Sequence, residues 1–288
     1  TQIIDGAAKS TVLLANATGA DFASAADIAT DVMQQFNIKA VDMDAAVSAI
    51  SGVTIASKFT IDDYRLAIAQ AGGVASSVGV DFDDFNAVIA ATSPLFASGS
   101  DAGTSFKTFL QRLVPSTEAA KEVMVDLGFT TEETSNAFFD ASGNMKSMDE
   151  IAGILQQGFA GLSEEQKNEA ASTLFGTDAM RAAFGVIDAG QAGILEYKKN
   201  IGNTNAEELA AKRMDTLKGA FEIFNGIVET VTLGVGDKFL PVVRKIVDVL
   251  TSEFGIQRQI PGPYRNRPVP RLDDFGGKDV VGVIGHRD

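Results

Sequence analysis

Four times in this chain a Ser or Thr is followed, three residues on, by Glu or Gln and then by apolar residues at helical spacing. The pairs are Thr130/Glu133, Ser147/Glu150, Ser163/Gln166 and Thr204/Glu207. This is a capping box, in which each side chain satisfies a backbone N–H that the first helical turn leaves without a partner. Short alternating runs of β-branched residues, the mark of half-buried strands, are scarce. The pattern predicts an all-α chain of about a dozen helices joined by short turns.

The apolar faces agree with that punctuation. Phe106, Phe109, Leu110, Leu113 and Val114 recur at the i, i+3, i+4, i+7, i+8 positions of one helix side, and Pro115, which cannot extend the ladder, follows them. The next helix is expected to start at Ser116-Thr117-Glu118, bury Ala120, Val123, Met124 and Leu127, and stop at Gly128 with Phe129 closing a Schellman-like end. Further faces are Phe82/Phe85/Ile89 and Met180/Ala183/Phe184/Ile187. Residues 138–146, FFDASGNMK, are the place where a small extended excursion is expected.

Composition removes whole classes of chemistry. The 288 residues are 45% hydrophobic, enough to fill a sizeable core without staples. There is no Cys, so neither disulfides nor thiolate metal sites are available, and the one His, His286, lies near the end of the sequence. Triads and multi-His metal centres need imidazoles held inside a fold. The net charge of −14 argues against specific nucleic-acid binding, which takes clustered Lys and Arg. Residues 256–288 hold 6 Lys+Arg and 4 Asp+Glu, so the remainder carries (24 − 6) − (38 − 4) = −16. No uncharged apolar run reaches the roughly 18 residues of a membrane span. The sequence opens Thr1-Gln2-Ile3-Ile4 without Met, and a fragment or processed product is expected.

Three local patterns invite a binding reading and lose it. SGSDAGTSFKTFLQRL, residues 98–113, has the look of a phosphate cradle, but Gly99 and Gly103 are too closely spaced, Thr104 stands where a Walker Lys belongs, and Asp101 is repulsive to an anion. Paired acids at Asp62/Asp63, Asp81/Asp83/Asp84 and Glu132/Glu133 fall in first helical turns, where the helix dipole favours negative charge. Asp140-Ala-Ser-Gly-Asn144 lacks the twelve-residue loop and terminal Glu of a calcium site and reads as a turn. No catalytic residue, metal or cofactor is therefore expected.

From 204 onward the texture changes. Ala210, Met214, Leu217, Phe221, Phe224, Val228, Val231 and Val235 alternate spacings of 4 and 3, a heptad seam, and Phe239, Val242, Ile246 and Val249 continue it after a stutter. Met214, Leu217, Phe221, Phe224, Val228 and Val231 are the candidate stripe for self-association or partner docking. Flanking charges are few, and Gly226, Gly234, Gly236 and Pro241 interrupt the stretch. An inter-chain coiled coil, a hairpin folded on its own core, and a membrane-seeking segment between Gly219 and Gly236 all remain open. Residues 256–288 include IPGPYRNRPVPR, whose composition favours extended, polyproline-like chain. The expected organisation is thus a helical core over 1–203, a longer helical segment over 204–255, and a Pro/Arg-rich linker or strap over 256–288.

Taken in order, Phe36-Asn37-Ile38 after an Ala-rich helix, Gly99-Ser-Asp-Ala-Gly103-Thr104, Asp126-Leu-Gly128, FDASGNM and Leu174-Phe-Gly-Thr-Asp-Ala179 resemble the core region of phage tail tape measure proteins. RMDTLKGAFEIFNGIVETVTLGVGDKFLPVV resembles the segment after that core. The resemblance covers roughly residues 5–250 and implies a structural, non-catalytic protein of a long-tailed phage, prophage or related particle. Made in the host cytoplasm, such a chain sets tail length by templating tube polymerisation and sits in several copies in the tube lumen or at the tail tip. It leaves during infection, with transient host-membrane contact. Its implied partners are the tail tube protein, tail assembly chaperones and distal tail or baseplate proteins. On this reading Gly99 and Gly103 form a helix-packing turn. A membrane-active or cell-wall-penetrating module of a tail-like particle is the alternative. As one continuous helix, 288 residues reach only about 430 Å at 1.5 Å per residue, so a long tail implies a longer chain.

Overall fold

A computed structural model describes residues 2–130 and 136–218. Nine α-helices follow one another there: α1 (Gln2–Thr18), α2 (Phe22–Gln35), α3 (Met43–Ala56), α4 (Ile61–Ser77), α5 (Phe82–Thr92), α6 (Gly99–Arg112), α7 (Glu118–Asp126), α8 (Met148–Phe159) and α9 (Glu164–Gly202). Single turns of 3₁₀ helix lead into α3 and out of α5, and residues 206–218 are again helical. Among the described residues there is no strand, only one antiparallel bridge, Phe139 to Met145, in the expected excursion. At its tip Asp140 accepts backbone bonds from Ser142 and Asn144, which makes the segment a side-chain-closed turn. The fold class is all-α, as the capping pattern predicts.

The caps explain most helix starts. Ser147/Glu150 and Ser163/Gln166 form capping boxes on α8 and α9. Thr60/Asp63 forms another on α4, with Asp in place of Glu. Thr204/Glu207 does not: the Thr204 hydroxyl donates back to the Asn200 carbonyl, and the Asn205 side chain instead accepts the amides of Glu207 and Glu208. Asn is among the best N-caps, so the helix starts one residue later than the box predicts. The partner of Thr130 in the remaining box lies outside the described residues. α7 ends as expected, with the Phe129 amide on Met124 and the Gly128 amide on Val125.

A chain of rings runs through the core. Phe36, Phe85, Phe106, Phe109 and Phe175 pack in sequence with centroids 5.3 to 6.2 Å apart, linking α2, α5, α6 and α9. Phe129 joins Phe138 and Phe159 in a second group. The α6 face is buried at Phe106, Phe109, Leu110 and Leu113, but Val114 is 55% exposed. It lies beyond the end of α6, where the helical phase that would carry it inward has stopped.

α9 is the central element and touches α3, α5, α6, α7 and α8. It is not one rod. Gly176 (φ 71°, ψ 172°) and Gly190 (φ 60°, ψ −175°) leave the helical region and break it into three segments. Only glycine adopts that conformation without strain, so both bends are written into the sequence.

Candidate interaction site

The glycine-rich start of α6 approaches α4 closely. A methyl group at Gly103 would stand 2.6 Å from the Ala67 carbonyl oxygen and 2.9 Å from Cβ of Gln70, both on α4, and one at Gly99 would collide with the Asp63 carbonyl. The two glycines lie inside the first turns of α6 rather than in a loop. An anion does sit at this helix start, and it is the chain's own: the Gly99 amide donates to Asp63 Oδ1 at 3.1 Å. Partial burial works to raise the Asp63 carboxyl, yet bonds from Thr60 and Gly99 outweigh it and hold the group below its ordinary value. Asp63 thus caps two helices.

Residues 206–218 carry the described part of the apolar seam. Ala206 and Ala210 are buried on the core, whereas Met214 and Leu217 are 55% and 48% exposed. The seam's first turn therefore belongs to the core and its next two positions face water. Phe221, Phe224, Val228 and Val231 lie outside the described residues, as do the segment 219–236 and the Pro/Arg-rich stretch.

One charged cluster was not anticipated. Lys198 Nζ, on the last segment of α9, lies 2.6 Å from Asp84 Oδ1 on α5 and 3.1 Å from Asp149 Oδ1 on α8. The Met148 amide donates to Asp84 Oδ2 at 3.1 Å, so Asp84 also caps α8, and Gln191 Nε2 donates to Asp149 Oδ2 at 3.4 Å. Burial pushes the Asp84 carboxyl up despite bonds from Lys198 and Met148, and the Asp81 charge adds to the rise. Burial acts on Asp149 too, but Lys198, Ser147 and Gln191 outweigh it and hold that carboxyl low. Lys198 is desolvated, yet its two carboxylate partners raise its pKa. Asp84 does lie in the first turn of α5, as expected, but it is buried and paired there. The available signal was α5 itself: residues 84–90 are apolar nearly all round and buried throughout, which leaves Asp84 no wet face.

Among the described residues no group of three or more His, Asp or Glu is placed to hold a metal ion. No single described helix is long and apolar enough to cross a membrane. The bent pair over Ala40–Ala56 and Ile61–Ser77 passes by length and composition, but Val47, Ile50, Tyr64 and Ile68 within it are fully buried in the core.

Comparison with known proteins gives these features a setting. Over 241 residues the chain is 26% identical to the tape measure protein of Pneumococcus phage Dp-1, covering 83% of this chain and 20% of that protein. Over 198 residues it is 28% identical to the probable tape measure protein of Escherichia phage P2, covering 66% of this chain and 23% of that one. The chain thus spans about a fifth to a quarter of the length of the curated relatives it matches. No solved structure matches it. The profile of the phage-related minor tail protein family matches residues 1–176, from α1 through the first break in α9, and the chain belongs to that family.

Proposed function

We propose that this chain is part of a phage tail structural protein that works as a tape measure, templating tube polymerisation from within the lumen. The observation that carries the reading is the alignment over 241 residues with the tape measure protein of Pneumococcus phage Dp-1, together with family membership over residues 1–176. In this role the chain performs no catalysis and takes no cofactor. Its compact helical core serves as a docking body for the tail tube protein, the tail assembly chaperones or the distal tail and baseplate proteins. The stripe that starts at Met214 and Leu217 and continues in sequence through Phe221, Phe224, Val228 and Val231 serves self-association. Exposure of Met214 and Leu217 on a helix whose first turn alone is buried supports that assignment, because two water-facing large apolar residues at heptad spacing gain by meeting a partner. Release toward the host envelope belongs to the same reading.

The test is made in a particle that carries this chain. Inserting heptads after residue 218 should lengthen the tail by about 1.5 Å per added residue. Unchanged tail length, with the chain located in the tail by labelled electron microscopy, removes the ruler while leaving a tail role. A chain found outside the tail removes both.

A further inference from the structure

The three segments of α9 are held by different means. The first two, 164–175 and 177–189, bury Leu174, Phe175, Ala179, Ala182, Ala183, Val186 and Ile187. The last, 191–202, buries only Ile194 and Ile201, with Tyr197 partly covered and Leu195 46% exposed. Its other attachments are polar: Lys198 to Asp84 and Asp149, and Gln191 to Asp149. On its far side a cleft of about 440 Å³ opens between it and the end of α3, lined by Gly52, Ile55, Ala56, Tyr197 and Asn200. The segment starts at the Gly190 bend and feeds into 206–218, which buries only Ala206 and Ala210, with Leu209 partly covered and the Ala206 amide donating to the Ser48 hydroxyl of α3.

We propose that the Asp84–Lys198–Asp149 cluster is a latch that clamps residues 191–218 to the core, and that these residues detach as a unit about Gly190 while the Phe-lined core stays folded. The segment has too few apolar anchors to share fully in the cooperative core, so its closed state depends on one ammonium satisfying two buried carboxylates. Local opening of such a unit is the expected behaviour of segments with little buried apolar surface. Removing the ammonium leaves like charges facing each other out of water, which is far worse than never having built the pair. The charged and polar groups on the cluster are Asp81 and Asp84 from α5, Asp149, Ser147 and the Met148 amide from the start of α8, and Lys198 and Gln191 from α9. Opening of the latch frees the part of the chain that leads toward the apolar seam.

The test is hydrogen exchange, read peptide by peptide on the full chain at pH 7. Lys198→Met should speed exchange across 191–218 at least tenfold while leaving 99–112 and 170–187 within twofold of wild type. Asp84→Asn/Lys198→Met, which removes one of the facing charges with the cation, should recover most of the lost protection. Unchanged exchange at 191–218 in Lys198→Met overturns the latch. So does an equal rise everywhere, which makes the cluster ordinary core, and so does a double variant no better protected than the single one.

Discussion

Residues 164–189 and residues 191–210 are both mostly helical and both lie on the same core, but different physics holds them there. The first stretch buries Leu174, Phe175, Val186 and Ile187 and packs the Phe175 ring against Phe109 of α6. The second rests on two isoleucines and two alanines, the partly covered Tyr197 and Leu209, one bond to Ser48 and a shared ammonium. Burial of apolar area is non-directional and additive, and each core side chain stabilises by about 1.5–3 kcal/mol. A buried ion cluster contributes little net free energy, because desolvation opposes the Coulomb gain, yet it fixes one geometry. On the latch reading, helical segments joined at a glycine bend belong to two cooperative units.

Substitutions break or sharpen this contrast. The largest effect is expected at the ring chain: Phe109→Ala should cost about 3–5 kcal/mol in the unfolding of the core that carries 164–189, since it opens a cavity there, while the separate opening of 191–218 should change far less. Urea melting followed by exchange checks it, and a loss confined to α6 contradicts the single core. Gly103→Val comes next, at about 1–3 kcal/mol, because the new methyls must push α6 off the Ala67 carbonyl. A Tm equal to wild type removes the close approach of α4 and α6.

A smaller effect separates the two carboxylates. Asp149 lies below its ordinary value of 3.8 when folded, so its contribution is present above that value and lost as pH falls through the folded one. Asp84 lies above 3.8 when folded, so its protonation supports folding at acid pH and that support is lost as pH rises through the folded value. At pH 7 Asp149→Asn should therefore cost more than Asp84→Asn, by on the order of 1 kcal/mol, and the gap should shrink toward pH 4. Tm values of both variants at the two pH values decide it, and the reverse order contradicts the assignment. Smallest of all, Met214→Gln and Leu217→Gln should each change unfolding of the isolated chain by within about 0.5 kcal/mol, because both face water. A larger loss in dilute chain places them in an intramolecular core.

The sequence made the helical class legible because caps and periodicity are local. Ser147/Glu150 and Ser163/Gln166 needed no tertiary information, and neither did the Gly128 ending of α7. What failed was local competition: Asn205 offered a better cap than Thr204, and Val114 lay past the point where α6 keeps its phase. The glycines of α6 could be read as packing positions, but not the helix they pack on. The apolar sides of α5 mark Asp84 as buried, but Lys198 is distant in sequence, so their pairing exists only once α5 and α9 meet. Asp63 was legible as a first-turn acid, and its bond to Gly99 was not.

The most direct measurement is native-state hydrogen exchange of the unaltered chain as a function of low urea concentration. Two cooperative units predict that amides of residues 191–218 exchange through an opening of smaller free energy and smaller urea dependence than amides of α6 and of residues 170–187, which should open only with the whole core. If all of these amides merge into one isotherm with the urea dependence of global unfolding, residues 191–218 are ordinary core and the division of α9 at Gly190 is wrong.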